Sequence, residues 1–170
     1  MGRVPSTVSS QGGTPGFPGY YIHCVPGGFP GETYIEKETA MGNRCVIATK
    51  KKDIAIYLHW NGGRDSVEGF LEYCRRMGFR PPETDCYGWA RLAQVIANFF
   101  GGDGLSIGID RYESLAGCGD DNGTYFIEGW KIVGREDAPS VEQHEYPLDE
   151  MLEAIEKAQP DDMKLPKKPD

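Results

Sequence analysis

Between Asp53 and Phe100 the apolar residues change their spacing from the period of a strand to that of a helix, and the change falls on Asn61-Gly62-Gly63. Asp53-Ile-Ala-Ile-Tyr-Leu-His-Trp60 alternates as a half-buried strand does. Val67, Phe70, Leu71 and Cys74 then recur at the i, i+3, i+4 and i+7 positions of one helix face. A strand that turns tightly into an amphipathic helix must bury that helix's stripe against a neighbouring layer. The chain is therefore constrained to a layered α+β fold.

The elements on either side agree with this. Arg44-Cys-Val-Ile-Ala-Thr49 alternates as well, and Lys50-Lys51-Lys52 joins it to the second strand as a β-hairpin. Asp65, with Glu68 three residues on, has the capping-box pattern of a helix start. Gly78 stops that helix and Pro81-Pro82 prevent its continuation. Thr84 or Asp85 caps a second helix, with Trp89, Leu92, Ala93, Ile96, Phe99 and Phe100 on one face, and Gly101-Gly102 ends it. The short loop between them makes an antiparallel helical pair. Ser106–Asp110 is a short strand, Asp120-Asp121-Asn122-Gly123 a turn, and 124–136 one longer strand with a bulge at Gly129. Asp149–Gln159 is a terminal helix docked by Leu152 and Ile155. The order ββ-αα-ββ-α predicts a small two-layer sandwich, an antiparallel sheet with a helical pair on one face.

At 170 residues the chain is expected to hold one domain with flanking segments. Glycine and proline crowd residues 1–40, where Gly12-Gly-Thr-Pro-Gly-Phe-Pro-Gly19 and Pro26-Gly-Gly-Phe-Pro-Gly31 break any regular element. That segment is expected to be disordered and non-native. Lys37-Glu38 back-translates to a ribosome-binding sequence just ahead of Met41, so translation is expected to start there. Residues 41–136 form the globular domain, and 137–170 form an acidic segment with one helix and a disordered tail over its last eleven residues. The net charge of −8 supports this division, because residues 135–170 carry 11 Asp and Glu against 5 Lys and Arg. Between 41 and 134 the two signs nearly balance, at 12 and 11. No basic stripe with interleaved aromatics appears, so direct nucleic-acid binding is not expected. No apolar run is long enough to cross a membrane. Five scattered cysteines without a CxxC pair read as reduced thiols of a cytoplasmic protein.

His59, Trp60, Asn61, Arg64, Asp65, Tyr87 and Arg91 form the candidate ligand-binding set. They converge if the end of the second strand meets the starts of both helices. Two helix N-termini and two guanidinium groups would then hold an anion, with Trp60 and Tyr87 to stack on a base or ring. The same residues also have structural explanations. Trp60 and Trp89 suit a core, Asp65 suits a cap, and the arginines suit pairing with Glu72 and Asp85 or covering apolar surface. His59 is the one histidine of the expected core, and a nucleophile pair would need Cys45, Cys74 or Cys86 beside it. Scattered thiols and one histidine do not supply a zinc site. Gly101-Gly-Asp-Gly104 lacks the Lys-Ser/Thr ending of a phosphate loop, and the 120–123 turn lacks calcium spacing. No cofactor, no metal and no catalytic constellation is expected.

Met41-Gly-Asn-Arg44, the block from Tyr57 to Glu68, Tyr87-Gly-Trp-Ala-Arg-Leu92 and Asn98-Phe-Phe-Gly-Gly102 together resemble a group of uncharacterised small proteins of Gram-positive bacteria, their phages and mobile elements. The resemblance covers about Met41 to Glu136 and transfers no catalytic residue. It implies an accessory protein of phage or mobile-element type. The leading expectation is a non-enzymatic protein that binds and inhibits a host factor or sequesters a nucleotide-like ligand. Two alternatives stand beside it. One is a small hydrolase or transferase on a phosphorylated substrate, with His59 as acid and base. The other is an acidic-surface inhibitor of a nucleic-acid-binding protein, using residues 136–162. The partner is then a host protein or a small phosphorylated ligand, and neither the apolar stripes nor the charge separates a monomer from a homo-oligomer.

Overall fold

The structure, a computed structural model, describes residues 42–101, 106–138, 141, 142, 144 and 146–166. The disordered, non-native segment expected over 1–40 lies outside these residues. Five strands, β1 (Cys45–Thr49), β2 (Ile54–Leu58), β3 (Ile107–Arg111), β4 (Thr124–Glu128) and β5 (Lys131–Glu136), form one sheet in the order β3-β2-β1-β4-β5. The helices are α1 (Arg64–Arg76), α2 (Cys86–Phe100), α3 (Tyr112–Leu115) and α4 (Leu148–Ala158), followed by a 3-10 turn at Asp161–Met163.

The α+β class holds, but three details depart from the expected antiparallel ββ-αα-ββ-α sandwich. First, the sheet is mixed, because β1 pairs β4 in parallel, with Val46 opposite Thr124. β1 lies at the centre and every one of its residues is buried, as a strand covered on both faces requires. Second, the long strand expected over 124–136 is a hairpin. Gly129 (φ 56°) and Trp130 (φ 64°) make its turn, and two left-handed residues match the twist of a two-residue hairpin loop. Trp130 is held in that conformation by its buried indole, whose Nε1 donates to the Phe79 carbonyl at 2.8 Å. Third, α3 interrupts the return from β3 to β4.

Alternation along the strands divides the core in two. Cys45, Ile47, Ile56, Leu58, Tyr125 and Ile127 face the helices and pack with Phe70, Leu71, Leu92, Ile96, Met151 and Ile155. Val46, Ala48, Ala55, Tyr57 and Phe126 face the other way, under Tyr112, Leu115 and Cys118. Three helices therefore cover the first face, not the expected pair. α4 lies on α1 at Gly69, where an added Cβ would come within 2.6 Å of the Met151 side chain. Leu152 and Ile155 dock α4 as expected. Part of the tail expected to be disordered is packed: Met163 is buried, and its carbonyl lies 2.9 Å from the Tyr73 hydroxyl. Cys45, Cys74 and Cys86 are free, whereas Cys118 is in a disulfide, which departs from the wholly reduced set expected. Among the described residues, no helix is long and apolar enough to cross a membrane.

Candidate functional site

One end of the sheet gathers the chain entering β1, the exits of β2 and β5, the entry of β4 and the start of α1. The loop into α1 lies directly on the chain entering β1. Gly62 N–H donates to the Asn43 carbonyl at 2.7 Å, and a Cβ on Gly62 would sit 2.4 Å from that same oxygen. Asn61 takes a left-handed φ of 53°, which asparagine tolerates. Beneath the loop, the buried Asn122 side chain donates to Asn43 Oδ1 at 2.5 Å and to the Arg44 carbonyl at 3.1 Å.

The capping box does not form. Gly63 occupies the cap position without a side-chain bond. Asp65 lies inside the first turn, buried, and its carboxylate accepts the Tyr146 N–H at 2.5 Å. Glu68 turns to Arg64, at 3.2 Å. A carboxylate in the first turn still suits the helix dipole, but here it ties the chain between β5 and α4 across the start of α1.

Arg64 heads a cluster of charge. Its Nε donates to Glu142 Oε2 at 2.7 Å, and its guanidinium carbon lies 5.7 Å from the centre of the Tyr125 ring. Arg135, from β5, stands at the same 5.7 Å from that ring. Its Nε donates to the Asn122 carbonyl at 2.8 Å and lies 3.5 Å from Glu142 Oε1. His144 Nε2 is 3.9 Å from the same carboxylate. One aromatic ring therefore carries two guanidinium groups that close on one carboxylate, an arrangement that joins cation–π and ionic attraction. Arg64 holds the Glu142 carboxyl below the usual carboxylate range, and Arg135 and His144 act in the same direction.

The donors in this cluster exceed what Glu142 satisfies. The Tyr125 hydroxyl and Arg135 Nη2 are buried and make no hydrogen bond among the described residues. Burial pushes the Tyr125 phenol up, and the Glu142 charge adds to the shift. A buried polar group without a partner typically costs about 1–3 kcal/mol, so the fold is keeping two donors at a cost.

The seven candidate residues separate into three groups. Arg64 and Asp65 lie on the helix side of the sheet, in the cluster just described. His59 and Trp60 turn to the other side. His59 Nδ1 is 3.0 Å from the Tyr57 hydroxyl, and its ring meets Trp60 edge-on at 4.9 Å. Trp60 is 42% exposed, so the expected alternative of a core residue does not hold for it, whereas Trp89 is buried. Asn61 bridges the two groups along the chain.

Tyr87 and Arg91 lie at the opposite end of the molecule. The loop before α2 meets the β1–β2 turn through Lys51 and the Glu83 carbonyl, at 3.2 Å. It meets the β4–β5 turn through Gly129 N–H and the Glu83 carboxylate. There Asp85 caps α2 as expected, accepting from Tyr87 N–H at 3.0 Å. Arg80 covers the Tyr87 ring and Arg91 covers Phe79. The two helix starts therefore do not converge, because α2 runs back along α1.

The same alternation bears on the cysteines. Cys45 faces the helices while His59 bonds Tyr57 on the other side, and burial pushes the Cys45 thiol up, away from its thiolate. No group of three His, Cys, Asp or Glu among the described residues is arranged to hold a metal ion.

Arg135, Tyr125 and Glu142 were not among the expected residues. Arg135 had no legible sign: alternation groups it with the exposed Lys131 and Val133, and only the register shift in the β4–β5 hairpin sets it opposite Tyr125. Glu142 had none, because its partner lies 78 positions away in the chain. Comparison with protein-family models, with curated proteins and with solved structures gives no match, and the functional reading rests on the site's own chemistry.

Proposed function

We propose that the chain is a non-enzymatic binding protein that takes an anionic, nucleotide-like ligand or an acidic group of a host factor at the sheet end where α1 begins. The observation that supports this is the pair Arg64 and Arg135, each 5.7 Å from the centre of the Tyr125 ring and both closing on one carboxylate. Paired guanidinium groups beside a helix N-terminus are a receptor for carboxylate or phosphate. The ligand-binding set then becomes Arg64 with Arg135 and Tyr125, without His59 and Trp60, which lie on the other side, and without Tyr87 and Arg91. The setting implied by the sequence resemblance, a phage or mobile-element accessory protein in the cytoplasm, fits a sequestering or inhibitory role.

Binding is favoured over hydrolysis because His59 is engaged by Tyr57 on the face away from the arginines. Native mass spectrometry of the full chain purified from a bacterial host tests the reading. A retained small anion or acidic protein, lost in Arg64→Ala with the fold intact, is the expected result. An unchanged complex in Arg64→Ala removes the site.

A further inference from the structure

We infer that Glu142 occupies the position of a ligand's phosphate, so that the site is held closed by an internal stand-in and opens to a phosphate monoester that displaces it. The inference rests on the anion-binding reading above and adds to it the ligand class and the means of control.

The fit of Glu142 is the first argument. Its carboxylate has one short bond, to Arg64 at 2.7 Å, and reaches Arg135 only at 3.5 Å. Neither arginine meets it in the two-bond fork that carboxylates favour. Arg135 gives its Nε to the Asn122 carbonyl instead, and its Nη2 points to nothing among the described residues. The Tyr125 hydroxyl, wholly buried, is also without a partner there. A planar carboxylate has two oxygens, and among the described residues only Oε2 makes a hydrogen bond here, to Arg64. A tetrahedral phosphate carries three terminal oxygens and a second negative charge. It therefore offers one acceptor more than the carboxylate to the donors left over here, Arg135 Nη2 and the Tyr125 hydroxyl. Groups left over around a carboxylate are the donors a phosphate requires.

The attachment of Glu142 is the second argument. It belongs to the connection between β5 and α4, not to the sheet or the helices that hold the arginines. Tyr146, in the same connection, is fastened to α1 by the Asp65 carboxylate. Glu142 can therefore leave without disturbing Arg64, Arg135 or Tyr125, each of which is carried by a regular element. Glu68, one turn further along α1, also bonds Arg64 at 3.2 Å and keeps that side chain in place. An occupant that must first be expelled lowers the apparent affinity by the fraction of time the site is open.

Titration of the full chain with inorganic phosphate and with AMP, at constant ionic strength, tests this. Glu142→Gln keeps the shape and removes the charge, and it is expected to bind both probes at least tenfold more tightly than the wild type. Glu142→Ala is expected to shift in the same direction, with the amide spectrum reporting that each variant is folded. Adding Arg135→Gln to Glu142→Gln should abolish the gain, and acetate should bind more weakly than phosphate throughout. Equal affinity in the wild type and both Glu142 variants, with loss in Arg64→Ala, overturns the stand-in but leaves the anion site. Binding by none of the variants overturns both. Acetate binding as tightly as phosphate overturns the ligand class.

Discussion

Replacing Tyr125 by Phe removes a single oxygen and is expected to stabilise the protein. The ring is wholly buried and its hydroxyl has no hydrogen-bond partner among the described residues. The unsatisfied group costs about 1–3 kcal/mol in the native state. Phenylalanine keeps the ring, and with it the two guanidinium contacts at 5.7 Å. The void left by one oxygen, on the order of 10 Å³, returns only about 0.3 kcal/mol of that gain. The net expectation is a stabilisation of about 0.7–2.7 kcal/mol. It should appear in urea as a midpoint raised by several tenths of a molar unit, with an unchanged slope. Tyr73→Phe is the matched control, because the Tyr73 hydroxyl lies 2.5 Å from the Glu156 carboxylate and is raised in pKa by burial and that contact. Its loss should destabilise by about 1.5–3 kcal/mol, the range for a hydrogen bond to a charged group. Opposite signs for two Tyr→Phe changes are the signature sought. Destabilisation of Tyr125→Phe by about 1 kcal/mol or more would refute the claim that its hydroxyl is unsatisfied, and with it the argument that the hydroxyl is kept for a ligand.

The other expectations are structural. Gly62→Ala drives a Cβ to 2.4 Å from a backbone oxygen and should cost about 1–3 kcal/mol, read by urea denaturation; a neutral result would mean the loop into α1 does not rest on β1. Ile155→Ala empties a fully buried position between α4 and α1 and should cost about 2–5 kcal/mol, with hydrogen exchange faster in α4 than in β1; uniform exchange would argue against α4 as a separable layer. Glu72 is held at about 2 by Arg75 first and then Arg76. A depressed carboxylate stabilises the fold above its ordinary pKa, and that contribution is lost as pH falls through the folded value. The stability gap between wild type and Glu72→Gln should therefore be full above pH 4.5 and close towards pH 2; a gap that widens on acidification would contradict it.

Local patterns were legible where one segment carried its own signal. Alternation at 44–49 and 53–60, the stripes of α1 and α2, Asp85 as a cap and the docking residues of α4 were each readable without long-range information. The errors share a cause. Gly129 looked like a bulge because Trp130 has no intrinsic preference for a left-handed backbone; its conformation comes from a pocket that includes Phe79, 51 positions away. Asp65 looked like a cap because the partner that claims its carboxylate, Tyr146, is 81 positions on. The parallel seam has no local mark. For the site, the sequence pointed to Arg64 and Asp65 but paired them with the wrong helix. Two helices in an antiparallel pair start at opposite ends, so the predicted hairpin itself argued against convergence of their N-termini.

The parallel pairing of β1 with β4 also governs when the chain can fold. β1 is the innermost strand and the first to be made, and β4 follows only after α1, α2, β3 and α3. On the ribosome, β3-β2-β1 can pair as a meander whose β1 edge is still bare, and β1 is a strand with no exposed residue in the finished protein. Unpaired apolar edges are templates for association with other chains. The late hairpin β4–β5 therefore acts as the chain's own edge cover, and a polypeptide released before residue 124 would expose its most adhesive surface.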